Sequence, residues 1–157
     1  MKPENLYTSS LNHPLVSASI LSADFNRMGE ELDAVTAGGA QSIHVDVMDG
    51  HFVPNLSMGP AVCAAVRRHL PEICIDVHLM VTDPRTYAPA FISAGADHVT
   101  FHIEVEENPL ALRDEIHRRG ASAGLAINPD TPLSAIEPFI KEFDVLLVMS
   151  VHPGFSG

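Results

Sequence analysis

The run His44-Val45-Asp46-Val47-Met48-Asp49-Gly50 sets an imidazole, a carboxylate and a thioether at spacing two. On an extended chain His44, Asp46 and Met48 therefore share one face of the pleat. The run Asp76-Val77-His78-Leu79-Met80 repeats the device and aligns Asp76, His78 and Met80. If the two runs are neighbouring strands, His44, Asp46 and His78 converge. Two imidazoles and a carboxylate suit one divalent transition metal and leave positions open for substrate oxygens, as in catalytic rather than closed structural sites. A plainer reading stands beside this one, because strand histidines are commonly hydrogen-bonded core residues. Asp46 weighs toward function, since a carboxylate in an apolar strand is costly to bury unless paired or metal-bound. Met48, Met80 and Met149 fit core packing as readily as the lining of a pocket.

Three further features carry weaker signals. Ser19, at the end of the first apolar run, is placed either to touch a substrate or to cap a loop. Val151-His152-Pro153-Gly154-Phe155-Ser156-Gly157 has the composition of a loop whose backbone can approach a phosphate, although many strand-to-helix turns carry such glycines for geometry alone. His102 and Glu104, two residues apart in Phe101-His102-Ile103-Glu104, are expected to share a strand face and support the same layer. His13, His51, His69 and His117 fall in tail, loop or helix contexts.

The elements that must position these groups are legible as a repeat. Apolar β-rich runs start near Ser17, Ser42, Ile73, His98, Ser122 and Asp144, a period that suits alternating strand and helix. Most are apolar on both faces of the pleat, as in a parallel sheet covered by helices. Asp83-Pro84, Asn108-Pro109 and Thr131-Pro132 each put a capping side chain before a proline, which predicts three helix starts. Gly39, Gly95 and Gly120 are predicted to close helices in the left-handed conformation. Phe25, Met28, Leu32 and Val35 form the predicted sheet-facing stripe of the first helix. Six βα units suit an open doubly wound sheet or part of an eight-stranded barrel; the first strand lacks a following G-x-G-x-x-G, which counts against a dinucleotide-binding sheet.

A chain of 157 residues, 46% hydrophobic, is sized for one globular domain. Its formal charge of −11 opposes nucleic acid and anionic membrane surfaces. Neither an apolar run long enough to span a bilayer nor a signal-like start is present, so the cytoplasm is the expected location. Cys63 and Cys74 are expected to be reduced packing residues.

Ser17 to Phe25 (SASILSADF), His44 to Asn55 (HVDVMDGHFVPN), Asp76 to Val81 (DVHLMV) and Val148 to Gly157 (VMSVHPGFSG), in that order, resemble ribulose-phosphate 3-epimerases. The resemblance implies an α/β fold, a TIM (β/α)8 barrel of the ribulose-phosphate-binding type. Residues 14–157 would supply its first six βα units after an N-terminal tail of residues 1–13, with strands 7 and 8 lacking. It implies His44, Asp46 and His78 as ligands of one divalent metal ion, Fe2+, Zn2+, Mn2+ or Co2+, with Asp46 also an acid/base. It further implies Ser19 and His78 as contacts to sugar oxygens, Gly154, Phe155, Ser156 and Gly157 as part of the phosphate site, and Met48, Met80 and Met149 as pocket lining. The implied reaction interconverts D-ribulose 5-phosphate and D-xylulose 5-phosphate in the pentose phosphate pathway, in an enzyme that is a homo-oligomer when complete. Its second acid/base would be an aspartate on the seventh strand, which leaves the activity of the 157-residue chain by itself in question. The alternatives are another sugar-phosphate epimerase, a lyase on a related phosphate-binding barrel that would use a lysine-bearing strand, and a non-catalytic barrel fragment.

Overall fold

The computed structural model describes residues 6–8, 14–105 and 108–154. Six strands, β1 (Ser17–Ser19), β2 (Ser42–Met48), β3 (Cys74–Met80), β4 (His98–His102), β5 (Ser122–Ile127) and β6 (Val145–Val148), pair in parallel and in chain order. Helices α1 (Met28–Ala37), α2 (Pro60–His69), α3 (Pro84–Ala94) and α4 (Pro109–Arg118) connect the first five. A doubly wound sheet requires a point where strand order reverses, and this sheet has none. Right-handed crossovers in unbroken order put every helix on the same side, and the twisted sheet curls around its other face. The result is part of a (β/α) barrel.

The two faces of the sheet differ in chemistry. Ile43, Val45, Ile75, Val77, Leu79, Val99, Phe101 and Leu125 point to the helices and are fully buried against Leu32, Val66, Phe91, Leu112 and Ile116. The inner face of β2 to β5 carries Ser42, Asp76, His78, His98, Thr100, His102 and Ser122, all buried. Strands apolar on both faces were expected, and the inner face departs from that because it is lined by mutually hydrogen-bonded polar groups. Buried polar groups are tolerated on that condition.

Local signals set most boundaries. Asp83 and Asn108 cap α3 and α4 by accepting from Thr86 N and Ala111 N, with proline at the first helical positions. Gly39, Gly95 and Gly120 all have positive φ, at 101°, 115° and 84°. Thr131-Pro132 does not start an α-helix: Thr131 Oγ1 is 2.6 Å from Glu104 Oε1, and the chain continues as two 3-10 turns, Leu133–Ala135 and Glu137–Phe139. Phe25 lies in a 3-10 turn ahead of α1 and is 55% exposed, so the sheet-facing stripe begins at Met28. β4 ends at His102, and Glu104 sits in a 3-10 turn rather than on a strand face. Arg67 ties the outer layer together by donating to the carbonyls of Ile73, Pro71 and Gly95 and pairing with the buried Asp97 carboxylate. Cys63 and Cys74 are free and buried, and burial pushes their thiols up to about 12 and about 11.

Candidate metal centre

Strand register builds the centre. β2 pairs with β3 so that His44 faces Asp76 and Asp46 faces His78. His44, Asp46 and His78 each offer a ligand atom, and those atoms lie within 4.8 Å of one another. Asp46 Oδ1 is the hub, 3.1 Å from His44 Nε2 and 3.2 Å from His78 Nδ1. Its Oδ2 accepts from the Ser19 hydroxyl at 2.7 Å, and Ser19 Oγ accepts in turn from Leu21 N. An N,O,N set of this kind fits a divalent transition ion. The cluster is half-open, with His44 and Asp46 side chains 18% and 14% exposed and His78 2%.

Each histidine has an outer partner. His44 Nδ1 lies 2.7 Å from Asp76 Oδ2, the same oxygen that receives the Tyr7 hydroxyl at 3.0 Å and the Ser17 hydroxyl at 3.2 Å. Tyr7 belongs to a 3-10 turn, Leu6–Thr8, and its ring stacks on His98 with centroids 4.3 Å apart. His78 Nε2 lies 2.8 Å from His102 Nε2, and His102 Nδ1 lies 3.2 Å from Glu104 Oε2. Asp76 and Tyr7 were given no role by the sequence reading. Asp76 carried a signal, the spacing of two from His78; Tyr7 carried none.

Burial alone would pull the His44 imidazole down; the Asp76 charge and the hydrogen bonds to Asp46 and Asp76 overcome it and push it up to about 10. A cation entering here must displace the Nε2 proton. Burial raises Asp46, but the groups bonded to it, His44 foremost, hold the carboxyl well below the usual carboxylate range. Glu104 is likewise held at about 2: burial opposes this, and hydrogen bonds from His102, Thr131 and Asn128 N prevail.

The loops above the cluster are cross-tied. Asp49 Oδ1 accepts from His51 N and Phe52 N, while Oδ2 accepts from Thr82 N and Oγ1, joining the loops after β2 and β3. Met48 and Met80 pack with Val53 in a buried group, with Leu21 and Phe52 against it. Met149, half-buried beyond β6, is not among the described side chains of that group. Gly154 has φ 115°, its carbonyl accepts from Asn55 Nδ2 at 3.2 Å, and a Cβ there would come within 3.1 Å of Val53. Phe155, Ser156 and Gly157 lie outside the described residues. An apolar pocket lined by Val47, Met48, Met58, Tyr87 and Phe91 lies at the end of β2 against α3 and includes none of His44, Asp46 and His78. No helix among the described residues is long and apolar enough to cross a membrane.

Known proteins share both fold and sequence with this chain. Among solved structures, Yersinia pestis DHPS superposes with a TM-score of 0.62 at 14% identity, covering 94% of this chain and 61% of that one. Phosphoribosyl anthranilate isomerase from Thermotoga maritima gives 0.62 at 17% identity, covering 92% and 66%. At such identities the likeness establishes the fold alone. The ribulose-phosphate 3-epimerase of Mycobacterium bovis is 47% identical over 148 residues, 94% of this chain and 63% of that protein. The chloroplastic ribulose-5-phosphate-3-epimerase of Arabidopsis thaliana is 48% identical over 145 residues, 91% of this chain and 51% of that one. The chain thus spans from about half to under two thirds of the length of these two relatives. With the model of the Ribulose-phosphate 3 epimerase family matching residues 15–157, the whole barrel portion and its His–Asp–His cluster included, the chain belongs to that family.

Proposed function

We propose that the protein interconverts D-ribulose 5-phosphate and D-xylulose 5-phosphate, with these residues supplying the metal cluster and one of the two proton carriers. The observation that carries the reading is the convergence of His44, Asp46 and His78 at the half-open mouth of the inner face. Carbon 3 of the sugar lies beside the carbon-2 ketone, so loss of its proton places negative charge on the neighbouring oxygens. A divalent ion held by His44, Asp46 and His78, drawn from Fe2+, Zn2+, Mn2+ or Co2+, would supply positive charge to those oxygens.

The protein's own groups do the rest. Asp46 is ionised at neutral pH and takes the proton from carbon 3 as a general base. Ser19, by holding Asp46 Oδ2, keeps Oδ1 turned toward the histidines, and its hydroxyl is in position to exchange that bond for one to a sugar oxygen. Met48 and Met80 form an apolar wall beside the polar cluster and limit the water that reaches it. The Gly154 backbone, whose carbonyl accepts from Asn55, would contribute to phosphate binding, the role that the family resemblance also gives to Phe155, Ser156 and Gly157. Inversion needs a second carrier on the opposite face of the sugar, the part that the family resemblance gives to an aspartate of a seventh strand.

Removal of the carbon-3 hydrogen is the half-reaction that Asp46 alone supports, and it is measured by deuterium uptake from D2O. Metal-loaded protein is expected to label carbon 3 of ribulose 5-phosphate, and Asp46→Asn to abolish labelling while the fold is kept. Absence of labelling with all four metals, under conditions where metal binding is verified, would refute the proposal.

A further inference from the structure

Three contacts run in line from the 3-10 turn after β4 to the metal cluster. They are Glu104 Oε2 to His102 Nδ1, 3.2 Å; His102 Nε2 to His78 Nε2, 2.8 Å; and His78 Nδ1 to Asp46 Oδ1, 3.2 Å. A neutral imidazole carries one N–H and one lone pair, so fixing the direction of any one of these bonds fixes the others. Glu104 fixes it. Its Oε1 already receives Asn128 N at 2.8 Å and the Thr131 hydroxyl at 2.6 Å, and an ionised carboxylate has no proton to give.

The direction propagates in three steps. A neutral His102 must donate from Nδ1 and therefore accepts at Nε2. His78 must donate from Nε2 and therefore bears its lone pair on Nδ1. That lone pair faces Asp46 Oδ1, which is also an acceptor, so two acceptors stand 3.2 Å apart with no proton of their own between them. Such a pair is satisfied by a cation. Run the other way, the chain would put a proton on His78 Nδ1, satisfy Asp46, and block the ligand atom.

We propose that Glu104 and His102 are positioning residues that hold His78 in the tautomer whose Nδ1 is available to a metal ion, with Glu104 setting the direction. The idea rests on the epimerase reading only for its metal site, and it adds to that site two side chains behind His78, the buried His102 and the more exposed Glu104. Outer partners of this kind typically change metal affinity 10–100-fold when removed.

Glu104→Gln tests it with little change of shape. The amide oxygen must stay at the Oε1 position, because Asn128 N can only donate; the NH2 group then faces His102 Nδ1 and donates to it. Every bond in the line reverses and remains satisfied, ending in His78 Nδ1–H donating to Asp46. The readouts are 15N spectra of imidazole-labelled, metal-free full chain and Zn2+ titration. Expected are the Nε2–H tautomer of His78 in the parent, the Nδ1–H tautomer in the variant, and Zn2+ binding about 10–100-fold weaker with a near-parent melting temperature. A merely structural role for Glu104 would lower the melting temperature and leave the tautomer alone. Equal Zn2+ affinity in the folded variant, or an Nδ1–H tautomer in the parent, would overturn the proposal. If the variant fails to fold, the parent spectrum decides by itself. Neither readout involves a sugar, so failure of the epimerase reading would leave this result standing and the reverse.

Discussion

Gly124 on β5 is the position where the packing of the inner face is most exposed to a one-carbon change. A Cβ built there would lie 2.2 Å from Thr100 Oγ1 and 2.7 Å from His98 Nε2. Thr100 and His98 are 2% and 1% exposed, so neither side chain has solvent to retreat into. Their mutual hydrogen bond, 3.0 Å from His98 Nε2 to Thr100 Oγ1, would break as they separate. Overpacking of a core costs ~1–3 kcal/mol and a buried hydrogen bond ~1 kcal/mol, against ~0.4–1 kcal/mol gained from the stiffer unfolded chain. Gly124→Ala is therefore expected to lose about 1–3.5 kcal/mol net, a fall in melting temperature of about 2–14 °C for a chain of this size. Denaturant titration of the single variants and of Gly124→Ala/Thr100→Ala measures the coupling. Removing Thr100 Oγ1 relieves the closest contact, so Gly124→Ala should cost at least ~1 kcal/mol less in the Thr100→Ala background. A single variant within ~0.5 kcal/mol of the parent, or strict additivity, would refute the claim that the inner face is filled at this point.

Two other outcomes follow from named contacts. Arg67→Met takes the guanidinium from the Asp97 carboxylate, 3% exposed, and should cost ~3–5 kcal/mol; adding Asp97→Asn should recover only the part due to the buried charge, because the carbonyls of Ile73, Pro71 and Gly95 still lose the Arg67 donors, and unfolding midpoints check both. Metal-free stability should peak near pH 6.5. Burial, only partly offset by nearby carboxylates, lowers His98, and burial likewise lowers His78; each then loses stability as pH falls below the unfolded value, by up to ~1.4 kcal/mol per pH unit. His44, raised to about 10, loses stability in the other direction, from the unfolded value up to its folded one. His98→Gln should flatten the acid limb alone, and an unchanged limb in urea titrations across pH would contradict the account.

How much of this was legible beforehand depended on the range of the interaction involved. Alternation within a strand is local, and it correctly put His44 with Asp46 and Asp76 with His78 on shared faces. The caps at Asp83 and Asn108 are local too, each bonding three residues ahead. Thr131 offers the same local pattern, but its hydroxyl is taken by Glu104, 27 residues earlier, and the helix start is lost to that distant partner. Glu104 is instructive in the same way: it was expected to share a strand face with His102, whereas the chain turns into a 3-10 helix and Glu104 reaches that imidazole from there.

The register between strands is what no single segment could disclose. Sliding β3 by two residues would keep every side chain on its face, yet it would take His78 from opposite Asp46 and Asp76 from opposite His44. Those two pairings convert a row of costly buried polar groups into a connected one, running from Tyr7 through Asp76, His44, Asp46, His78 and His102 to Glu104. Its histidine stretch is bounded by carboxylates that can only accept, Asp76 beside His44 and Glu104 beyond His102, and Asp46 lies between them, an acceptor facing both ligand histidines. A stretch held at both ends by acceptors, with a third acceptor at its centre, is short of positive charge at that centre. In the metal-free protein a proton on His44 supplies it, and a divalent ion supplies it better, which is why the least apolar face of the sheet is also the one that can do chemistry.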